Sequence, residues 1–137
     1  MKTIQVNNGE FGANRYIISN NESALNVLET FALIKLSNWE EATIDIIPLF
    51  ESVDDLQHAH EIMEKLYTNA SYAAHLKRRG NKQTIMLGFS DGTKDGGYLM
   101  ANWSIYKAKE ALTEISRKYD VQAIFFDGRG GPPARGG

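Results

Sequence analysis

Ile44-Asp45-Ile46-Ile47-Pro48-Leu49-Phe50 is almost continuously apolar and lies between two segments of helical periodicity. Such a run predicts a strand covered on both faces, as crossover helices cover a parallel sheet. Three further β-type runs each adjoin at least one segment of helical periodicity: Tyr16 to Ser19, Gln83 to Gly88 and Val121 to Phe126. After the first, Ser19 to Asn21 offer N-caps for a helix from Glu22 to about Ser37-Asn38, with Leu25, Leu28, Phe31, Ala32 and Leu36 on its inner face. After the second, Ser52 or Asp54-Asp55 starts a helix with Leu56, Ala59, Met63 and Leu66 inward. Another helical piece spans Ser71 to Arg79 and breaks at Gly80-Asn81. After the third, a helix from about Tyr98 to Tyr119 carries a stripe of Leu99, Trp103, Tyr106, Ala111, Leu112, Ile115 and Tyr119. Its wet side holds Lys107, Lys109, Glu110, Glu114 and Lys118, with Glu114 and Lys118 spaced to pair.

Strands alternating with helices in units of roughly 30 residues predict an α/β fold of parallel βα repeats with right-handed crossovers. Residues 1–14 are polar and read as a lead-in; 15–137 form the repeats and end in a Gly/Arg-rich loop. A complete eight-stranded barrel takes about 250 residues, so 137 supply about half of one. With no helix to cover the last strand, the chain is expected to be a piece of something longer.

Composition removes several classes of function. With 42% hydrophobic and 23% charged residues the chain is expected to be globular. Seventeen acidic against fifteen basic residues leave a formal charge of −2, so no global field draws it to nucleic acid or an anionic membrane. The absence of cysteine excludes disulfides, thiol catalysis and cysteine-ligated zinc. No signal-peptide core or membrane-length apolar run is present, and cytoplasm is the expected compartment.

Chemistry concentrates where the predicted strands end, because loops leaving the carboxyl ends of parallel strands share one face. Glu51 follows the second strand; Asp91 and Lys94 follow the third within Ser90-Asp91-Gly92-Thr93-Lys94-Asp95-Gly96-Gly97; Arg129 and Arg135 follow the fourth. One or two carboxylates with open positions suit magnesium, and Glu51 and Asp91 fit that description. Two arginines among glycines suit a phosphate or carboxylate, which the guanidinium fork binds bidentately.

Plainer explanations exist for each. Glu51 is also a favourable charge at a helix N-terminus, Asp91 a turn residue, and Asp95-Gly96 a cap for the following helix. A calcium loop starting at Asp91 fails, since its twelfth position is Asn102. The dinucleotide fingerprint fails because Pro133 stands where a glycine belongs. His58, His60 and His75 are expected to be solvated rather than metal-bound, and Trp39 and Trp103 to be packing residues.

Three stretches carry a family resemblance. Ile47 to Leu56 (IPLFESVDDL), Met86 to Gly97 (MLGFSDGTKDGG), and Gly128-Arg129-Gly130-Gly131 with Arg135-Gly136-Gly137 resemble, in order, motifs of phosphoenolpyruvate carboxylase. The resemblance runs from about Tyr16 to the end. It implies a catalytic segment, part of a TIM-type (β/α) barrel, within a larger cytoplasmic enzyme that usually forms tetramers. Enzymes of this kind join bicarbonate to phosphoenolpyruvate, giving oxaloacetate and phosphate through carboxyphosphate and a metal-held enolate. On that resemblance Glu51 and Asp91 would ligate Mg2+ or Mn2+, Arg129 would hold the substrate phosphate, and Arg135 would orient bicarbonate or carboxyphosphate. Lys94 would either neutralise Asp95 or face the anion.

The sequence also departs from the family. Asp127 stands where the family commonly has histidine, and Pro132-Pro133-Ala134 replace Thr or Ser, Val and Gly, which should stiffen the loop. The family's catalytic histidine lies in an earlier motif that His58, His60 and His75 do not match. The chain alone is therefore expected to be inactive. Its open sheet edges favour a homo-oligomer, at least a dimer. Two other readings are another magnesium-dependent phosphoryl-transfer or enolate enzyme, and an RNA-binding module using Arg-Gly-Gly. The net negative charge weakens the last, and no nucleic-acid or membrane partner is expected.

Overall fold

Asp45–Phe50 (β2) forms where the apolar run predicts it, with Ile46, Ile47, Leu49 and Phe50 buried. The computed structural model describes residues 1–39, 41–88 and 90–128, giving the backbone alone over 90–96. Around β2 lie β1 (Arg15–Ile18), β3 (Lys82–Gly88) and β4 (Gln122–Gly128), in the order β1-β2-β3-β4 with every neighbouring pair parallel. The helices are α1 (Lys2–Asn8), α2 (Ala24–Leu36), α3 (Val53–Thr68), α4 (Ala70–Arg78) and α5 (Ser90–Lys118). The expected parallel βα repeats are thus the architecture.

One face of the sheet carries the core. Ile46, Phe50, Ile85 and Leu87 pack there with Val27 and Phe31 of α2, Leu56, Met63 and Leu66 of α3, Tyr72 and Leu76 of α4, and Leu112 of α5. Side chains alternate along a strand, so Ile17, Ile47, Leu49, Met86, Ile124 and Phe126 share the other face. There Ile17, Ile124 and Phe126 are 44%, 39% and 50% exposed.

Local chemistry sets the helix starts. Ser52, the first of the two expected starts, caps α3: its Oγ accepts from Asp55 N, and Asp55 Oδ2 accepts from Ser52 N, both at 3.0 Å. α2 starts two residues later than the sequence predicts, because Ser23 rather than Ser19–Asn21 is its cap; Ser23 N donates to Asn26 Oδ1 at 3.0 Å. The stretch read as a lead-in holds α1 and a 3-10 turn at Glu10–Gly12. Gln5 Nε2 donates to Ala13 O and Thr43 O at 2.9 Å, tying α1 to the segment before β2. Arg79 draws Glu10 and Asp45 together at 2.7 Å each, which raises its pKa.

Two helix faces differ from expectation. On α2 the buried positions are Ala24, Val27 and Phe31, whereas Leu25 and Leu36 are exposed and so is Ala32. α2 is apolar nearly all round, so periodicity alone leaves its phase open. On α5 the inner face is Ala101, Ser104, Ala108, Leu112 and Ser116. Small residues let α5 approach α3, and Leu99, Trp103 and Tyr106 turn outward, at 82%, 57% and 56% exposure. Trp103 is therefore not a packing residue; it stacks on Tyr106 with Lys107 beside both rings. Lys118 pairs with Glu64 at 2.7 Å rather than with Glu114. α5 is broken at Gly97, whose φ of 78° and ψ of 169° are essentially restricted to glycine.

Candidate active site

The parallel register aligns the strand ends. Phe50 pairs with Leu87, and Gly88 with Gly128, so Glu51, Gly88 and Gly128 lie side by side at the carboxyl ends of β2, β3 and β4. By alternation Glu51 continues the face of Ile47 and Leu49, away from the helix-packed core. It is half-buried, and among the described residues its carboxylate takes part in no hydrogen bond or ion pair.

Glu51 is fixed from both sides. Its backbone leads directly into the Ser52–Asp55 cap, and Asp55 Oδ2 lies 3.4 Å from Glu51 N. Opposite, a Cβ built on Gly88 would come within 3.1 Å of both Glu51 Cα and Glu51 Cγ. The glycine leaves a gap that Glu51 fills.

Asp91 and Lys94 follow Gly88 by three and six residues, and their backbone is helical, in the leading segment of α5 before Gly97. That segment was expected to be a loop. β2 and β3 are parallel neighbours, so Glu51 and the start of α5 leave the sheet at the same end. The side chains of Asp91, Lys94 and Asp95 lie outside the described residues, as do Arg129, Arg135 and the Pro132-Pro133-Ala134 departure.

Asp127 sits one residue from the end of β4, and Lys109 of α5 reaches it at 2.8 Å. The sequence places Lys109 on a wet helix face; only the packing of α5 over β4 brings it there. His75 is another correction: it is buried, with Nε2 3.0 Å from Ile44 O and its ring against Phe31, so it is a core residue. Burial lowers its pKa. His58 is exposed, with Nδ1 2.9 Å from Asp54 O.

A hard divalent cation needs few protein carboxylates and keeps positions for water and substrate oxygens. The donor set at this rim fits: one half-buried carboxylate seated by a glycine, with a second acidic residue three positions beyond that glycine. Among the described residues no group of three or more His, Asp or Glu side chains forms an alternative centre. No helix among them is long and apolar enough to cross a membrane.

Comparison with known proteins agrees with the motifs. The family model described as phosphoenolpyruvate carboxylase matches residues 1–137. The chain is 41% identical over 140 aligned positions to the phosphoenolpyruvate carboxylase of Nitrosomonas eutropha, covering 98% of this chain and 15% of that protein. It is 40% identical over 121 positions to that of Corynebacterium diphtheriae (88% and 13%), and 43% identical over 128 to that of Corynebacterium efficiens (88% and 14%). The chain thus spans about one-seventh of the length of these relatives. Motif order, parallel strand ends and full-length family match together place the chain in the phosphoenolpyruvate carboxylase family.

Proposed function

We propose that this chain is a catalytic segment of an enzyme that joins bicarbonate to phosphoenolpyruvate, releasing oxaloacetate and phosphate by way of carboxyphosphate and the enolate of pyruvate. The observation that carries the reading is the register that sets Glu51 beside Gly88 and Gly128 at one end of a parallel sheet. Glu51 and Asp91 would hold Mg2+ or Mn2+. Such an ion supplies positive charge where negative charge develops on a reacting oxygen. Arg129 binds the phosphate, and Arg135 orients bicarbonate and shields carboxyphosphate from water, as their glycine-rich surroundings and guanidinium geometry favour. Lys94 either balances Asp95 or contributes to the same anion site.

The sheet forms about half of a TIM-type barrel. Support comes from the helices packed on one face and the row of apolar side chains, partly exposed, on the other. The parent works in the cytoplasm as an oligomer, and this chain alone associates through its open face and does not turn over substrate.

The test is a chimera in which this chain replaces the matching segment of the Corynebacterium efficiens relative. It is expected to form oxaloacetate in a bicarbonate-dependent manner, with at least about a hundredfold loss in Glu51→Gln or Arg135→Ala. A correctly assembled chimera without oxaloacetate formation contradicts the reading. Bicarbonate-dependent turnover by the isolated chain contradicts only the statement that it is inactive alone.

A further inference from the structure

We infer that Gly88 is a positioning residue: by lacking a side chain it seats Glu51, and with the Ser52–Asp55 cap it fixes where the carboxylate stands. The inference rests on the proposed role of Glu51 as a cation ligand and adds a residue that does not touch the cation. The backbone at Gly88 lies outside the left-handed region, so conformation alone would admit any residue. Space would not. A Cβ there would lie 3.1 Å from Glu51 Cα, 3.1 Å from Cγ and 3.3 Å from Cβ, tighter than ordinary contact.

Something must then give, and the surroundings decide what. Glu51 Cα cannot simply retreat, because Phe50 is paired to Leu87 on one side and Ser52 N is bonded to Asp55 Oδ2 at 3.0 Å on the other. Rotation of the Glu51 side chain relieves the contact with Cγ, while those with Cα and Cβ need a small shift of the strand end, and both movements re-aim the carboxylate. Divalent cations of this class bind oxygen at about 2.1 Å in near-ideal geometry and tolerate little misplacement.

Gly128 is the internal contrast. Its nearest obstacle is Met86 Cε at 2.7 Å, the far end of a flexible side chain, followed by Leu87 O at 3.4 Å. A methionine tip can swing aside, so a methyl group at 128 leaves Glu51 where it is.

The experiment measures Mn2+ binding to the 137-residue chain by electron paramagnetic resonance of the free ion, in wild type, Glu51→Gln, Gly88→Ala and Gly128→Ala, with circular dichroism to verify folding. Gly88→Ala is expected to weaken binding at least about tenfold, the usual effect of disturbing a ligand's support, while Gly128→Ala binds like wild type. Binding lost in Glu51→Gln but kept in Gly88→Ala overturns the positioning role and leaves the cation reading standing. No binding by wild type overturns both. A second readout is thermal stability, which falls less on Gly88→Ala in a Glu51→Ala background than in wild type, since the Cγ in the way is gone. Equal losses in both backgrounds contradict the assignment.

Discussion

His75 shows how one buried ring couples this fold to pH. Burial against Phe31 and Tyr72 lowers its pKa, so the folded protein favours the neutral imidazole while the unfolded chain takes up a proton near the ordinary value of about 6.5. Its contribution to stability is complete above that value and declines as pH falls through it toward the folded pKa. Urea unfolding at pH 8 and pH 5.5 should show lower stability at the acid end, and His75→Phe should reduce that difference; an unchanged difference contradicts the attribution. Ser52→Ala removes one partner of the α3 cap and should cost about 1 kcal/mol in the same measurement. The sequence reveals Glu51 and Ser52, because strand end and cap motif are local patterns. It conceals Gly88 as a seat and Lys109 as the partner of Asp127, since each depends on a neighbour brought close only by folding.

Among the elements, strand positions and the inner face of α3 follow directly from the sequence. The phases of α2 and α5 do not. In α2 apolar residues surround the helix, and in α5 the large aromatics that dominate any hydrophobic pattern lie outside, because alanine and serine permit the closer approach. α1 is not legible in the sequence because none of its residues is buried; Gln5 and Lys2 hold it by hydrogen bonds instead. Arg79, just beyond α4, links two other segments through Glu10 and Asp45, and its side chain is only 16% exposed. Arg79→Ala should destabilise by about 2 kcal/mol, as loss of charge-assisted hydrogen bonds does, and calorimetry would show this as a lowered Tm. A Tm equal to wild type would mean that the N-terminal segment is anchored without it.

Across the whole molecule, a sheet with helices on one face leaves apolar side chains in water on the other. Ile17, Ile124 and Phe126 lie toward the outer strands. Light scattering at micromolar concentration should therefore give a mass above that of one chain, and Phe126→Arg, on the outer strand β4, should lower it; a monomer throughout would contradict association through this face. Strand direction is the property legible from sequence that matters most, since it sends Glu51 and the Asp91 segment to the same rim. Diffraction from a crystal soaked in Mn2+ with a phosphoenolpyruvate analogue, recorded at the manganese edge, tests that most directly. The account predicts one anomalous peak ligated by carboxylate oxygens of both Glu51 and Asp91. A manganese site elsewhere, or one held by only one of these two residues, would contradict it.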